Sequence, residues 1–111
     1  MIANRTLNFK IKDRIFPVEI RVFPPERQPE GHWFCRYEVD WPDRPRQNRA
    51  GGQDAIQALL GAFGMIGAEL YTSDYHKNGQ ILPLDESWVG YGFPVPHNLR
   101  DLLIGQDAEY L

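Results

Sequence analysis

The stretch Gln53 to Tyr71 constrains the fold more than any other part of this chain, because it has helical periodicity throughout yet carries only two charges, Asp54 and Glu69. A helix on the surface of a small protein normally turns a charged face to water, so a helix this poor in charge is expected to be covered on both sides. At about 100° per residue, Ile56, Leu59, Leu60, Phe63, Ile66, Gly67 and Leu70 gather on one stripe, which reads as the core-facing seam. The opposite side holds Gln57, Ala58, Gly61, Ala62, Gly64, Met65 and Ala68, a flat surface without ionised groups. Each glycine inside a helix costs on the order of 1 kcal/mol relative to alanine, so Gly61, Gly64 and Gly67 call for a compensating close approach by another backbone or a large ring. Two arrangements provide it. Either the helix is sandwiched within its own fold, or Ala58, Gly61, Ala62, Met65 and Ala68 meet a second copy of the chain.

Before the helix the pattern changes to a period of two. Leu7, Phe9 and Ile11 share one face of a first strand, and Phe16, Val18, Ile20 and Val22 share one face of a second. Asp13-Arg14 is the polar break between them, which predicts a hairpin. The segment Phe23 to Gly31, with Pro24, Pro25 and Pro29, ends the second strand and forms an extended connection. A third strand alternates Trp33, Cys35, Tyr37, Val39 and Trp41 against His32, Phe34, Arg36, Glu38 and Asp40, and a short fourth is expected near Arg46 to Ala50. The predicted fold is an α+β domain over residues 1–111: an antiparallel sheet of three to four strands, one long helix packed on its apolar face, and a short C-terminal helix. After Tyr71 the residues Thr72 to Gly79 read as loop. Trp88 to Pro96 reads as an irregular aromatic strap over apolar surface and a candidate cover for the helix back. Asn98 is expected to cap a helix from Leu99 to Ile104 that Gly105 ends.

Composition excludes several functions. With 42% hydrophobic and 24% charged residues the chain reads as an ordinary soluble domain, with no secretory leader and no apolar run of membrane-spanning length, so a cytoplasmic location is expected. Cys35 is the lone cysteine, so no intrachain disulfide can form. Net charge is −3, but it divides unevenly: residues 1 to 50 hold ten Lys and Arg against seven Asp and Glu, and residues 51 to 111 hold two against eight. The resulting +3 is far from the dense basic patch of a nucleic-acid binder, so no such partner is expected.

Candidate chemistry is sparse. His32 and Cys35 have the spacing of a metal half-site, but three residues apart on a strand they point to opposite faces, so no metal site is assigned. Cys35, set between Trp33 and Tyr37, reads as a buried, inert thiol, and Ser73 and Ser87 lack the strained turn of a nucleophile elbow. His76 with Asp74 reads as a pair of solvated loop residues. No catalytic residue and no cofactor are assigned. One arrangement has anion-binding physics: Arg44, Arg46 and Arg49 followed by Gly51-Gly52 and the helix N-terminus, where free N–H groups and guanidinium groups converge. Against it stands Asp54, a carboxylate that already complements the helix dipole.

The motifs Cys35-x-Tyr37-x-Val39, Gly52-x-Asp54-x-x-Gln57-Ala58-Leu59, Ile66-Gly67-x-x-Leu70-Tyr71 and Gly92-Phe93-Pro94 together resemble a family of small bacterial proteins known only as a domain of unknown function. The likeness spans residues 33 to 96 and implies a bacterial, cytosolic protein without an assigned activity. The functional expectation is therefore a non-enzymatic interaction module that forms a homodimer or takes a protein partner. A small anion- or ligand-binding domain, conceivably enzymatic, built on Arg44, Arg46, Arg49 and Gly52 is the first alternative. A toxin-blocking immunity protein, suggested by small size and acidity, is the second.

Overall fold

Alternation of apolar residues builds the long strands of the computed structural model, which describes residues 1–111. β1 (Ala3–Ile11) buries Leu7 and Phe9, β2 (Arg14–Val22) buries Val18, Ile20 and Val22, and β4 (Trp33–Asp40) buries Cys35, Tyr37 and Val39. The link between β1 and β2 falls at Lys12 and Asp13, whose φ angles of 51° and 64° fit a type I′ hairpin turn, one residue earlier than the predicted Asp13-Arg14 break. Within the proline-rich connection, β3 (Glu26–Arg27) pairs with Phe34 and Trp33, and β5 (Pro45–Gly52) pairs along the whole of β4. The sheet thus has five strands in the order β1-β2-β4-β3, with β5 against β4, rather than the three to four expected. Two residues are too few for β3 to carry a periodic signal.

The main helix, α1 (Ala55–Tyr71), packs on the sheet and starts two residues later than the sequence pattern suggested. Asp54 caps it: its Oδ1 accepts the Gln57 N–H at 2.8 Å, while the Gln57 side-chain oxygen accepts the Gln53 N–H at 2.6 Å. This is the reciprocal logic of a capping box.

The orientation of α1 corrects the sequence reading. Ala58 and Ala62, assigned to the outer surface, are 0% exposed, whereas Ile56 and Leu60, assigned to the core, are 70% and 62% exposed. Close approach explains the difference. A Cβ on Gly52 would run into the backbone of Ala58, and one on Gly61 would lie 3.3 Å from the Ala50 Cβ. In the N-terminal half of α1 the small residues therefore go inside and Ile56 and Leu60 stay out, while in the C-terminal half Ile66, Gly67 and Leu70 of the predicted seam are buried as read.

Contacts group the chain into two compact units, Met1–Thr6 with Val18–Ala62, and Leu7–Pro17 with Phe63–Leu111. In the second unit, Tyr91, Phe93 and Val95 of the predicted strap are buried, and the Pro94 carbonyl sits where a Cβ on Gly67 would have to go. Ile81 bridges to Phe9, with the Lys10 N–H donating to Gln80 O at 2.7 Å and the Leu82 N–H to Asn8 O at 2.9 Å. The region after Tyr71 is more ordered than expected. Ser73 caps a short helix, α2 (Asp74–Lys77), a 3₁₀ helix covers His97–Leu102, and Gly105 begins α3 (Gly105–Tyr110) rather than ending its predecessor. Asn98 lies inside the 3₁₀ helix, whose cap position is Pro96.

Candidate functional site

The first unit carries three surface features around β4, β5 and the start of α1. On the outer face of β4, Arg21 reaches across from β2, with its Nε donating to Glu38 at 2.9 Å and its NH2 to Asp40 at 2.6 Å. This pairing holds the Arg21 guanidinium above and the Asp40 carboxyl below their ordinary ranges, in both cases chiefly through their shared hydrogen bonds. The three side chains, with Pro45, Arg46 and Gln47, line a shallow depression of 210 Å³. Every charge on its β4 side is already paired.

Next to it, two arginines stack on phenylalanines. Arg36 lies over the Phe23 ring at 3.7 Å and Arg49 over the Phe34 ring at 4.0 Å, with Arg36 and Arg49 directly opposite in the β4–β5 register. Arg36 also donates to Glu38 at 3.0 Å. Arg36, Arg49 and Glu26 line one shallow hollow with these rings.

The predicted anion-binding residues are placed apart. Arg49 pairs with exposed Arg36, while Arg46 pairs with buried Val39, so alternation puts the two on opposite faces of β5, and Arg44 lies before the strand. Gly52 is packed on Ala58, and the Gln53 and Gln57 N–H groups at the helix start are taken by side-chain oxygens of Gln57 and Asp54. The helix N-terminus thus already holds a carboxylate of its own chain. Of the predicted interface residues, Ala58 and Ala62 are enclosed by their own chain, and Gly61, Met65 and Ala68 are half-buried. The apolar surface that α1 turns outward in this unit is Ile56 and Leu60, one turn apart.

The second unit contains a buried polar knot. Asp107 of α3 is 0% exposed, and its carboxylate accepts from the Tyr71 hydroxyl at 2.5 Å, Trp88 Nε1 at 2.7 Å, and the Tyr91 and Gly92 N–H groups, each at 2.8 Å. A Cβ on Gly90, where φ is 116°, would lie 2.5 Å from the Asp107 carboxyl carbon, so glycine is required for the strap to wrap it. Burial, then the hydrogen bond to Asp107, pushes the Tyr71 hydroxyl far above the usual phenol range. Burial and the negative charge of Asp107 likewise raise Tyr91 to about 12. His76 Nδ1 meets the Tyr91 hydroxyl at 2.5 Å, and burial lowers its pKa. Neutral His76 and the protonated Tyr91 hydroxyl share one hydrogen bond. His76 is thus a half-buried helical residue bonded to Tyr91, not the solvated loop residue expected, while Asp74 is exposed. Both carboxylate oxygens of Asp107 are occupied by donors of its own chain, so its role is to lock Tyr71, the strap and α3 together.

Sequence reasoning missed Asp107 and its donors, and it had little to detect. A lone aspartate in a polar C-terminal segment looks like a solvated residue until Tyr71, Trp88 and Tyr91 arrive from elsewhere in the chain. Cys35, by contrast, is placed as read: it is buried, its Sγ faces the Phe23 carbonyl at 3.4 Å, and burial raises its thiol pKa.

A family model described as a domain of unknown function, DUF6968, matches residues 3–95. The chain belongs to this family. The matched segment takes in all five strands, α1 and the strap up to Val95, and stops before α3, so Asp107 lies outside it. No curated protein and no solved structure matches the chain. No helix of this family member is long and apolar enough to cross a membrane.

Proposed function

We propose that this protein is an association module that pairs with a second copy through the outward face of α1, centred on Ile56 and Leu60. The observation that carries this reading is the exposure of these two branched side chains, 70% and 62%, one turn apart on a helix whose only charged residue is Glu69. A two-fold contact places the same residues of both copies against each other, and an uncharged patch pairs with itself without like-charge repulsion. The contact therefore lies on the side of α1 opposite to Ala58 and Ala62, which the chain's own core uses.

Covering Ile56 and Leu60 on both copies returns roughly 1 to 2 kcal/mol per side chain. The entropy lost on association offsets about 4 kcal/mol or more of that sum of roughly 4 to 8 kcal/mol, so a weak dimer with a dissociation constant of about 1 mM at the tightest is expected. Sedimentation equilibrium up to about 2 mM reaches a dissociation constant of that size. The wild type is expected to show a concentration-dependent mass, and Leu60→Glu, which changes an exposed position, is expected to remain folded and monomeric. A wild type that stays monomeric throughout, or a Leu60→Glu variant that dimerises as well as the wild type, defeats the reading.

A further inference from the structure

Docking of the C-terminal segment rests on few groups. Across residues 96–111 only Leu103 and Asp107 are buried, and the 3₁₀ helix His97–Leu102 that joins them to the strap buries nothing. The segment is held instead by directed hydrogen bonds. Besides the Asp107 carboxylate with its donors, the Gln106 N–H donates to Val89 O at 2.8 Å, and the Gln106 side-chain oxygen accepts the Val89 N–H at 2.6 Å. Gly105, with φ at 55°, passes so near the strap that a Cβ there would run into the Val89 carbonyl. Residues 103–107 thus meet the strap as a short peptide meets a receptor, with an apolar anchor, a glycine at the closest approach, a two-way pairing with one backbone unit, and a carboxylate in a cradle of N–H and O–H groups.

The receptor half is built without the segment. Tyr91, Phe93 and Val95 are buried, the Pro94 carbonyl packs on Gly67, and the Gly90 carbonyl accepts the Leu84 N–H at 2.9 Å, so the strap is fixed by its own contacts. All the donors to Asp107 lie in the stretch matched to the family, and Asp107 lies outside it. With the segment displaced, those donors would still converge on one point. They divide two to each oxygen, Trp88 and Gly92 on Oδ1 and Tyr71 and Tyr91 on Oδ2, which is the pattern of a carboxylate, and the adjoining Val89 pairing asks for a peptide around it. A second copy gains nothing here, because exchanging two docked segments trades equal contacts and loses association entropy. A partner whose matching segment is not already docked does gain. We propose that the end of α1 and the strap form a peptide-binding site for which residues 103–107 are a tethered ligand, and that a partner protein takes the site by presenting leucine, glycine and aspartate at the same spacing. The site shares no residue with the Ile56 and Leu60 contact.

The test uses the full chain and a fluorescein-labelled peptide with the sequence of residues 103–111, with the same peptide carrying Asp107→Asn as control. A segment tethered by residues 96–102 competes at an effective concentration on the order of 1 mM, so a segment that stays docked implies a free peptide that binds the opened site well below that. In the full-length Asp107→Asn variant the tethered segment is weakened. Fluorescence anisotropy is therefore expected to show the Asp peptide binding that variant about tenfold or more tightly than it binds the wild type, whose site is held by its own segment. The control peptide is expected to bind the variant about tenfold or more weakly than the Asp peptide does. Should the variant fail to fold, amide exchange on the wild type decides: about 2 mM Asp peptide must speed exchange at the protein's Gln106 N–H severalfold, because the peptide takes over Val89, and must leave the Gly92 N–H protected. The proposal is overturned if the Asp peptide does not bind the folded variant, if the two peptides bind alike, if the wild type binds as tightly as the variant, or if the peptide leaves Gln106 exchange unchanged.

Discussion

Removing the Asp107 carboxylate tests the account of the buried knot, because two substitutions there should differ by an amount the geometry specifies. Asp107→Ala leaves the Tyr71 hydroxyl, Trp88 Nε1 and the Tyr91 and Gly92 N–H groups without their acceptor. Each orphaned buried donor costs about 1 to 3 kcal/mol, offset by water entering the vacated space and by the relief of no longer burying a charge, so a net loss of about 4 kcal/mol is expected. Asp107→Asn keeps the volume and one oxygen. Its amide nitrogen is best placed at Oδ2, where Tyr71 can turn its hydroxyl to accept, but where the Tyr91 N–H then faces another donor. Placed at Oδ1 it would confront both Trp88 Nε1 and the Gly92 N–H, which only donate. One irreparable donor pair sets the cost near 2 kcal/mol. Urea unfolding followed by tryptophan fluorescence, with Trp88 inside the knot, should show midpoints lower by about 2 to 3 M for Ala and about 1 M for Asn. An Asp107→Asn midpoint equal to that of the wild type, or an Asp107→Ala loss below about 1 kcal/mol, would refute the reasoning.

The helical glycines should separate by what they touch. Gly67→Ala forces a Cβ into the Pro94 carbonyl and is expected to cost about 3 kcal/mol or more, whereas a Cβ on Gly64 meets nothing nearer than Pro96 at 4.0 Å, so Gly64→Ala should stabilise by up to about 1 kcal/mol through helix propensity; thermal unfolding of both variants is the check. Stability should also depend on His76. Its folded pKa is depressed by burial, so protonation favours the unfolded chain: stability is complete above the ordinary value of 6.5 and is lost as pH falls through that value towards the folded one. Unfolding free energies between about pH 8 and pH 5 should decline on the acid side in the wild type and lose that slope in His76→Gln, and a slope unchanged by the substitution would contradict the buried, neutral imidazole. The Asp40 carboxyl, held low by Arg21, contributes in a separate window at more acidic pH.

Much of this protein was legible from local pattern. The alternation in β1, β2 and β4 named the inward residues correctly, because the period of a strand is read directly from neighbouring side chains. The helix itself was read correctly, but its start was set two residues early, at Gln53, and Asp54 and Gln57 cap it. Gly61 and Gly67 announced that something lies close to α1, and Ala50 at Gly61 and the strap at Gly67 are what lies there, whereas Gly64 has nothing nearer than Pro96 at 4.0 Å. Only the tertiary structure decided how α1 is turned about its axis. Ile66 and Leu70 of the predicted seam are inside as periodicity said, but at the start of the helix the choice fell to distance. The neighbouring backbone approaches too near to admit Ile56 or Leu60, so Ala58 and Ala62 took the interior there. The same holds for β3 and for Asp107, whose partners lie at distant positions in the chain: their roles exist only once the fold has brought those partners together.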